Sequence, residues 1–269
     1  MKKVKNIVAA IETISALCGV TSAEDTIQNW YVDTDGAGGN VAVLVNDYLD
    51  LNGRAYVKNT FTSATNFSFN EVASLKTVLA DGVTLLSPTL TSSFFGTGSG
   101  TTGGALSFSS GTLTVMSGAS TVGQFTLVDG SANLLANSTL PNGTVSLIFK
   151  ATSLMSGYFF DSGMQDLANV VTAPGGLLMG FATTNAIDLS KDKGAVNGNV
   201  NVDASLVTAY NNQFGTSFGV IDANQTTDLM LSNNGQFRME VPEPTSIALI
   251  GLGLLGLARS QRSKKSKQA

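Results

Sequence analysis

The chain has 269 residues with 15 Lys+Arg, 19 Asp+Glu, no histidine and a single cysteine. Without histidine there is no Ser-His-Asp or Cys-His arrangement and no His-ligated metal site. One cysteine allows no internal disulfide.

The N-terminus opens with Lys2, Lys3 and Lys5, followed by the apolar stretches Ile7 to Ile11 and Ile14 to Val20, which Glu12 interrupts. Thr21-Ser22-Ala23 supplies small residues at a cleavage position. This order predicts a signal peptide over residues 1–23, cut after Ala23, with Sec-type export machinery as the partner. Leu17 precedes Cys18 where a lipobox has a small residue, so no lipoprotein is expected. Once Cys18 is removed, the mature body holds no thiol at all.

Charge is unevenly spread. Outside the signal region and the basic C-terminal cluster, 7 basic residues face 18 acidic ones, a net of −11. A body this acidic repels phosphate backbones, so nucleic-acid binding is not expected.

Residues 24–239 are predicted to form one β-rich extracellular domain. The fold class expected is all-β, a sandwich or jelly-roll-like ectodomain with short helices, plus one C-terminal transmembrane helix. Alternating segments recur between turn residues. In chain order they are Asn40–Val45 after a Gly-rich turn at Gly36 to Gly39, then Ala55–Val57, Thr60–Phe61 and Phe67–Phe69. Leu106 to Val115 reads as strand, turn, strand around Ser110-Gly111. Gln124–Val128 is a strand stopping at Asp129-Gly130, and Thr144–Ala151 is another. Between them, Gly96 to Gly104 is low in complexity and is expected to be a flexible loop. Short helices are expected at Gly163–Val171 and Asp203–Asn212. The aromatic residues of the alternating segments are expected to form the core.

No catalytic residue and no metal ligand set is predicted, and no cofactor is expected. The chain lacks a G-x-S-x-G elbow. Asp33-Thr34-Asp35-Gly36 and Asp222-Ala223-Asn224 with Asp228 look like the start of calcium loops. Neither has the third ligand and closing Glu that such a loop needs, and turn-forming Asp and Asn account for both.

The C-terminus, residues 241–269, is the most informative stretch. Val241-Pro242-Glu243-Pro244 is followed by an apolar run from Ile247 to Ala258 with Ile247, Leu249, Ile250, Leu252, Leu254, Leu255 and Leu257. A cationic tail of Arg259, Arg262, Lys264, Lys265 and Lys267 ends it. Positive charge beside an apolar segment stays on the cytoplasmic side and acts as a stop. The run is short against the roughly 20 residues of a full span, which suits a temporary anchor in the inner membrane better than a permanent one. Gly251, Gly253 and Gly256 match G-x-G-x-x-G, but the chain lacks the following acidic residue of a dinucleotide site. They are expected to be helix-packing positions instead.

This ordered ending resembles a PEP-CTERM sorting signal of exported proteins in exopolysaccharide-producing Gram-negative bacteria. The resemblance implies an exosortase, a membrane-embedded cysteine peptidase, as partner. It would cut near Pro242-Glu243-Pro244 and send the product to the cell surface or medium. In the body, Val32 to Gly39, Leu49 to Gly53, Phe67 to Glu71, Gly157 to Asp161 and Thr184 to Ala186 resemble flocculation-associated PEP-CTERM proteins. That resemblance implies a non-enzymatic surface or matrix protein promoting cell aggregation and floc formation with exopolysaccharide. The alternative from a different class is a secreted glycan-active hydrolase or carbohydrate-binding protein, since paired carboxylates can cleave glycosides without histidine.

Overall fold

Along residues 90–99 the side chains alternate strictly. Leu90, Ser92, Phe94, Gly96 and Gly98 are buried, while Thr91 and Ser99 are exposed and the residues between are half-buried. A strand buries one face in this way when apolar and hydroxyl-bearing residues take turns. A computed structural model describes residues 25–37, 42–102, 104–134, 142–172, 176–188, 203–218 and 228–241.

The strands in chain order are β1 (Asp25–Thr26), β2 (Trp30–Val32), β3 (Val43–Val45), β4 (Leu49–Phe61), β5 (Asn66–Ala80), β6 (Thr84–Thr101), β7 (Ala105–Ser117), β8 (Ser120–Leu134), β9 (Asn142–Leu154), β10 (Phe159–Phe160), β11 (Leu178–Asp188) and β12 (Asp228–Val241). A 3-10 turn spans Leu167–Asn169 and one helix, α1, spans Ala204–Phe214.

The large sheet runs β4-β5-β6-β7-β8-β9-β11-β12 with every neighbour antiparallel, and β12 pairs again with β4. Ten residue pairs, from Asp228↔Lys58 to Phe237↔Leu49, close it into an eight-stranded up-and-down barrel. This corrects the expected sandwich or jelly roll. A sandwich and a barrel need the same apolar/polar alternation. The choice lies in whether the last long strand finds the first, and local sequence does not carry that.

Register fixes the inward face. Val57, Glu71, Gly96 and Gly111 share one layer, and Ala55, Ala73, Phe94, Leu113 and Phe125 share the next. Phenylalanines fill the interior: Phe69 meets Phe108 edge-on at 5.0 Å, Phe94 meets Phe149 at 5.8 Å, and Phe125 meets Phe237 at 6.3 Å between centroids. An eight-stranded barrel is just wide enough for side chains to fill.

The interior rings need room beside them on neighbouring strands, and glycine provides it. A Cβ on Gly98 would lie 2.3 Å from both the Phe69 Cζ and the Ser107 carbonyl oxygen. Gly96 to Gly104 is therefore no flexible loop through most of its length, because β6 continues to Thr101. Gly98→Ala is expected to destabilise the barrel by about 1–3 kcal/mol in urea titration, as overpacking does. In a flexible loop the same change would cost less than about 0.5 kcal/mol. The expected turns at Ser110-Gly111 and Asp129-Gly130 are likewise strand interior, with a register shift at each place.

One barrel end is capped by the three-stranded sheet β10-β2-β3. Its Trp30, Val32, Val45 and Phe159 are buried. Hydrogen bonds fasten the cap to the barrel's hairpins: Ser117 Oγ donates to the Thr34 carbonyl, and Asp81 accepts from the N–H groups of Asn46, Asp47 and Tyr48.

Of the expected short helices, the first is only the 3-10 turn, while α1 falls close to expectation. Asp203 caps its start by accepting from the Ser205 N–H at 2.9 Å, and Gly215 ends it at φ 64°. An 11-residue helix is marginal alone. It is held on the outer wall, where Leu206, Val207 and Tyr210 pack on Tyr56, Val72 and Met230. The expected transmembrane helix lies outside the described residues. Among those described, no helix is long and apolar enough to cross a membrane.

Candidate functional site

The closing strand β12 carries the chain to its most informative segment. Its inward residues Phe237 and Met239 are buried, Glu240 pairs with Leu178, and Val241 is its last residue. Pro242 and Pro244 follow at once. Neither carries an N–H that could donate to a ladder. Beside this strand end lies β1, and the Ile27 N–H donates to the Met239 carbonyl at 2.9 Å. The body therefore begins and ends at the same barrel end, the capped one. A cut before Met239 would remove core; a cut after Val241 removes none of the described barrel.

The capped end is rich in carboxylates, most of which are committed to local backbone. Burial alone would raise Asp81, but the N–H groups of Asn46, Tyr48 and Asp47 outweigh it and hold its carboxyl below the usual range. At Asp166, burial is likewise outweighed by bonds from the Ser156 hydroxyl and the N–H groups of Ala168 and Gly157. Asp33 Oδ1 accepts from the Asp35 and Gly36 N–H groups at 3.2 and 3.1 Å, closing a turn. Arg238 pairs with Asp47 at 3.0 Å on the surface, a contact of little energetic weight. Among the described residues no group of three or more His, Cys, Asp or Glu side chains could hold a metal ion.

On the outer wall, a polar cluster ties α1 to the closing seam. The Tyr56 hydroxyl donates to Asp228 Oδ1 at 2.7 Å, Lys58 Nζ lies 2.9 Å from the same oxygen, and Asn70 Nδ2 donates to the Tyr210 hydroxyl at 3.2 Å. Burial, then the Asp228 carboxylate, pushes the Tyr56 phenol far above its ordinary range. Lys58 also sits 4.6 Å from the Phe218 ring centroid. Since a hydrogen bond to a charged acceptor is worth about 1.5–3 kcal/mol, Tyr56→Phe is expected to lower stability by that amount in chemical denaturation.

Inside the barrel, Glu71 lies between Val57 of β4 and Gly96 of β6. Burial pushes its carboxyl up to about 7.

The outward face of β6 to β9 is of another kind. It presents hydroxyls, including Thr91, Ser99, Ser107, Thr112, Thr126 and Ser146, all exposed. Asp129 and Lys150 are the only charged residues on these four strands. Thr97 and Ser110 bond each other across β6 and β7 at 2.7 Å. Sequence reading did not single out this face. The signal was present in the Ser and Thr of alternate positions, but it becomes a surface only when the strands are set side by side.

Of the sequence-predicted site residues, only Val241 is described. Ala23, Pro242 to Pro244, the apolar run and the cationic tail lie outside the described residues. A PEP-CTERM protein-sorting motif matches at residues 240–263. It implies an exported protein that exosortase processes, held transiently at the membrane of a Gram-negative cell before reaching the surface. No curated protein and no solved structure matches the chain.

Proposed function

We propose that this is a non-enzymatic surface or matrix protein which, once released by exosortase, helps cells aggregate by contacting exopolysaccharide. The observation that carries the reading is the charge-poor hydroxyl face of β6 to β9 on a body that is otherwise acidic. Anionic or neutral polymer can approach there without the repulsion it meets elsewhere, and hydroxyls on strands about 4.8 Å apart can exchange hydrogen bonds with a sugar chain. The same face serves the carbohydrate-binding alternative. A glycosidase needs two carboxylates about 5–10 Å apart; the carboxylates of the capped end are instead taken up in bonds from local backbone N–H groups, which favours the non-enzymatic reading.

Deleting the gene is expected to abolish floc formation while polysaccharide output continues. Complementing with Thr112→Glu, which places a negative charge in the middle of the hydroxyl face, is expected to restore export but not aggregation. Normal flocs in the deletion strain would dispose of the proposal.

A further inference from the structure

Strand register lines up side chains that stand far apart in the chain. Thr60 of β4 lies opposite Ser68 of β5, Ser68 opposite Ser99 of β6, and Ser99 opposite Ser107 of β7. The line continues through Ser131 of β8 to Ser146 of β9, and Ala182 of β11 ends it. Six neighbouring strands thus each place a hydroxyl-bearing residue in one unbroken row, and all six residues are exposed. Their chain neighbours Phe69, Phe108, Ala132 and Leu147 are buried, so the row faces outward. At about 4.8 Å per strand, it is about 24 Å long. Among the described residues, none of the six side chains is hydrogen-bonded to the protein, whereas Thr97 on the cap side of the row is bonded to Ser109 and Ser110. The nearest charged residues along these strands, Lys58 and Asp129, stand two positions off the row. Both are engaged, Lys58 with Asp228 and Asp129 with the Gly130 N–H.

We propose that this row is the line along which a neutral, flexible glycan chain lies, running across the strands. The inference rests on the proposed contact with exopolysaccharide, and adds where on the face the polymer sits and of what kind it is. Hydroxyls donate and accept as sugar hydroxyls do, so each can exchange bonds with a ring in either orientation. An extended hexose chain advances by about one strand spacing per ring, which lets successive rings meet successive strands. A polymer carrying carboxylates gains nothing here, because no cation lies on the row and the surrounding body is acidic. Shape adds a second selection. Closing eight strands into a tube turns the wall by about 45° per strand. A flat crystalline glycan touches such a convex line at only a few hydroxyls, whereas a chain that bends follows it.

The test uses the full chain purified in mild detergent. It is run in native gels cast with dextran, pullulan or alginate, and sedimented with microcrystalline cellulose. The expected result is retardation by a neutral polymer, none by alginate, and no loss of protein to cellulose. Ser107→Glu, which forces a charge to be covered by the chain, is expected to weaken binding about tenfold, and Ser131→Glu likewise. Thr91→Glu, exposed on the same strand face of β6 but off the row, is expected to change it by less than about twofold. Equal losses from Thr91→Glu and Ser107→Glu overturn the row while leaving contact by the face as a whole. Binding of alginate or cellulose as tight as that of dextran and pullulan overturns the neutral, bending polymer. Full binding in both row variants, or no binding of either neutral polymer by the unsubstituted chain, overturns the inference outright. Whether the protein aggregates cells is read separately, from the deletion strain. Thermal melts matching the unsubstituted chain show that the variants are folded.

Discussion

A chain ending at Val241 is expected to unfold with the same midpoint as the full mature body, whereas a chain ending at Thr227 is expected not to fold at all. Strand β12 supplies Met230, Phe237 and Met239 to buried positions and hydrogen-bonds to both β11 and β4. Burying such a side chain is worth about 1.5–3 kcal/mol, so losing three removes roughly 5–9 kcal/mol. That is comparable to the whole stability of a typical domain, about 5–15 kcal/mol. The freed edges of β4 and β11 would also invite pairing between chains. Circular dichroism and urea titration of the two truncated chains make the check. A well-folded product ending at 227 would mean that the seam between β4 and β12 is dispensable. A large loss at 241 would mean that the sorting segment contributes to barrel stability.

The second large effect concerns pH. Glu71 is raised to about 7 by burial, so the folded state favours its neutral form more than the unfolded state does. Its contribution to stability is complete below the unfolded value of about 4.3 and disappears as pH rises through 7. The difference between pH 5 and pH 8 from this group is about 3 kcal/mol, with the acidic side more stable. Glu71→Gln is expected to flatten that slope and to raise stability at pH 8. Asp81, Asp166 and Asp203 work in the opposite sense, since their carboxyls are held low. Their contribution is present above the unfolded carboxylate range and is lost as pH falls below it. Stability should therefore peak between about pH 4 and 7. Urea midpoints measured across that range, for both chains, test the assignment; an unchanged slope in Glu71→Gln would remove Glu71 as its source.

Much of the β character was legible because short-range alternation sets strand faces. Where the reading failed, glycine was the reason. Gly96, Gly98, Gly111 and Gly130 look like loop or turn residues, and the sequence offers no local cue that each instead faces a bulky interior side chain. For Gly130 the neighbours are Leu147 and Phe108, 17 and 22 residues away. Helix α1 was readable from Asp203 and Gly215, which act through their nearest neighbours alone. Glu71 was also open to notice, since it falls in phase with Phe69, Ala73 and Leu75, a charged residue on an apolar phase. The hydroxyl face and barrel closure were not, because both depend on partners far apart in the chain. The sorting motif was legible, since its recognition depends on linear order, and the match covers residues 240–263.

The seam between β4 and β12 joins residues about 170 positions apart, as Lys58 and Asp228 show. Synthesis from the N-terminus presents β4 early and β12 last. Until β12 is in place the sheet has two unpaired margins, on β4 and β11, and that one strand closes both. The strand that completes the barrel runs to Val241, and the matched sorting motif begins at residue 240. The last piece of the wall and the first piece of the address are therefore the same two residues.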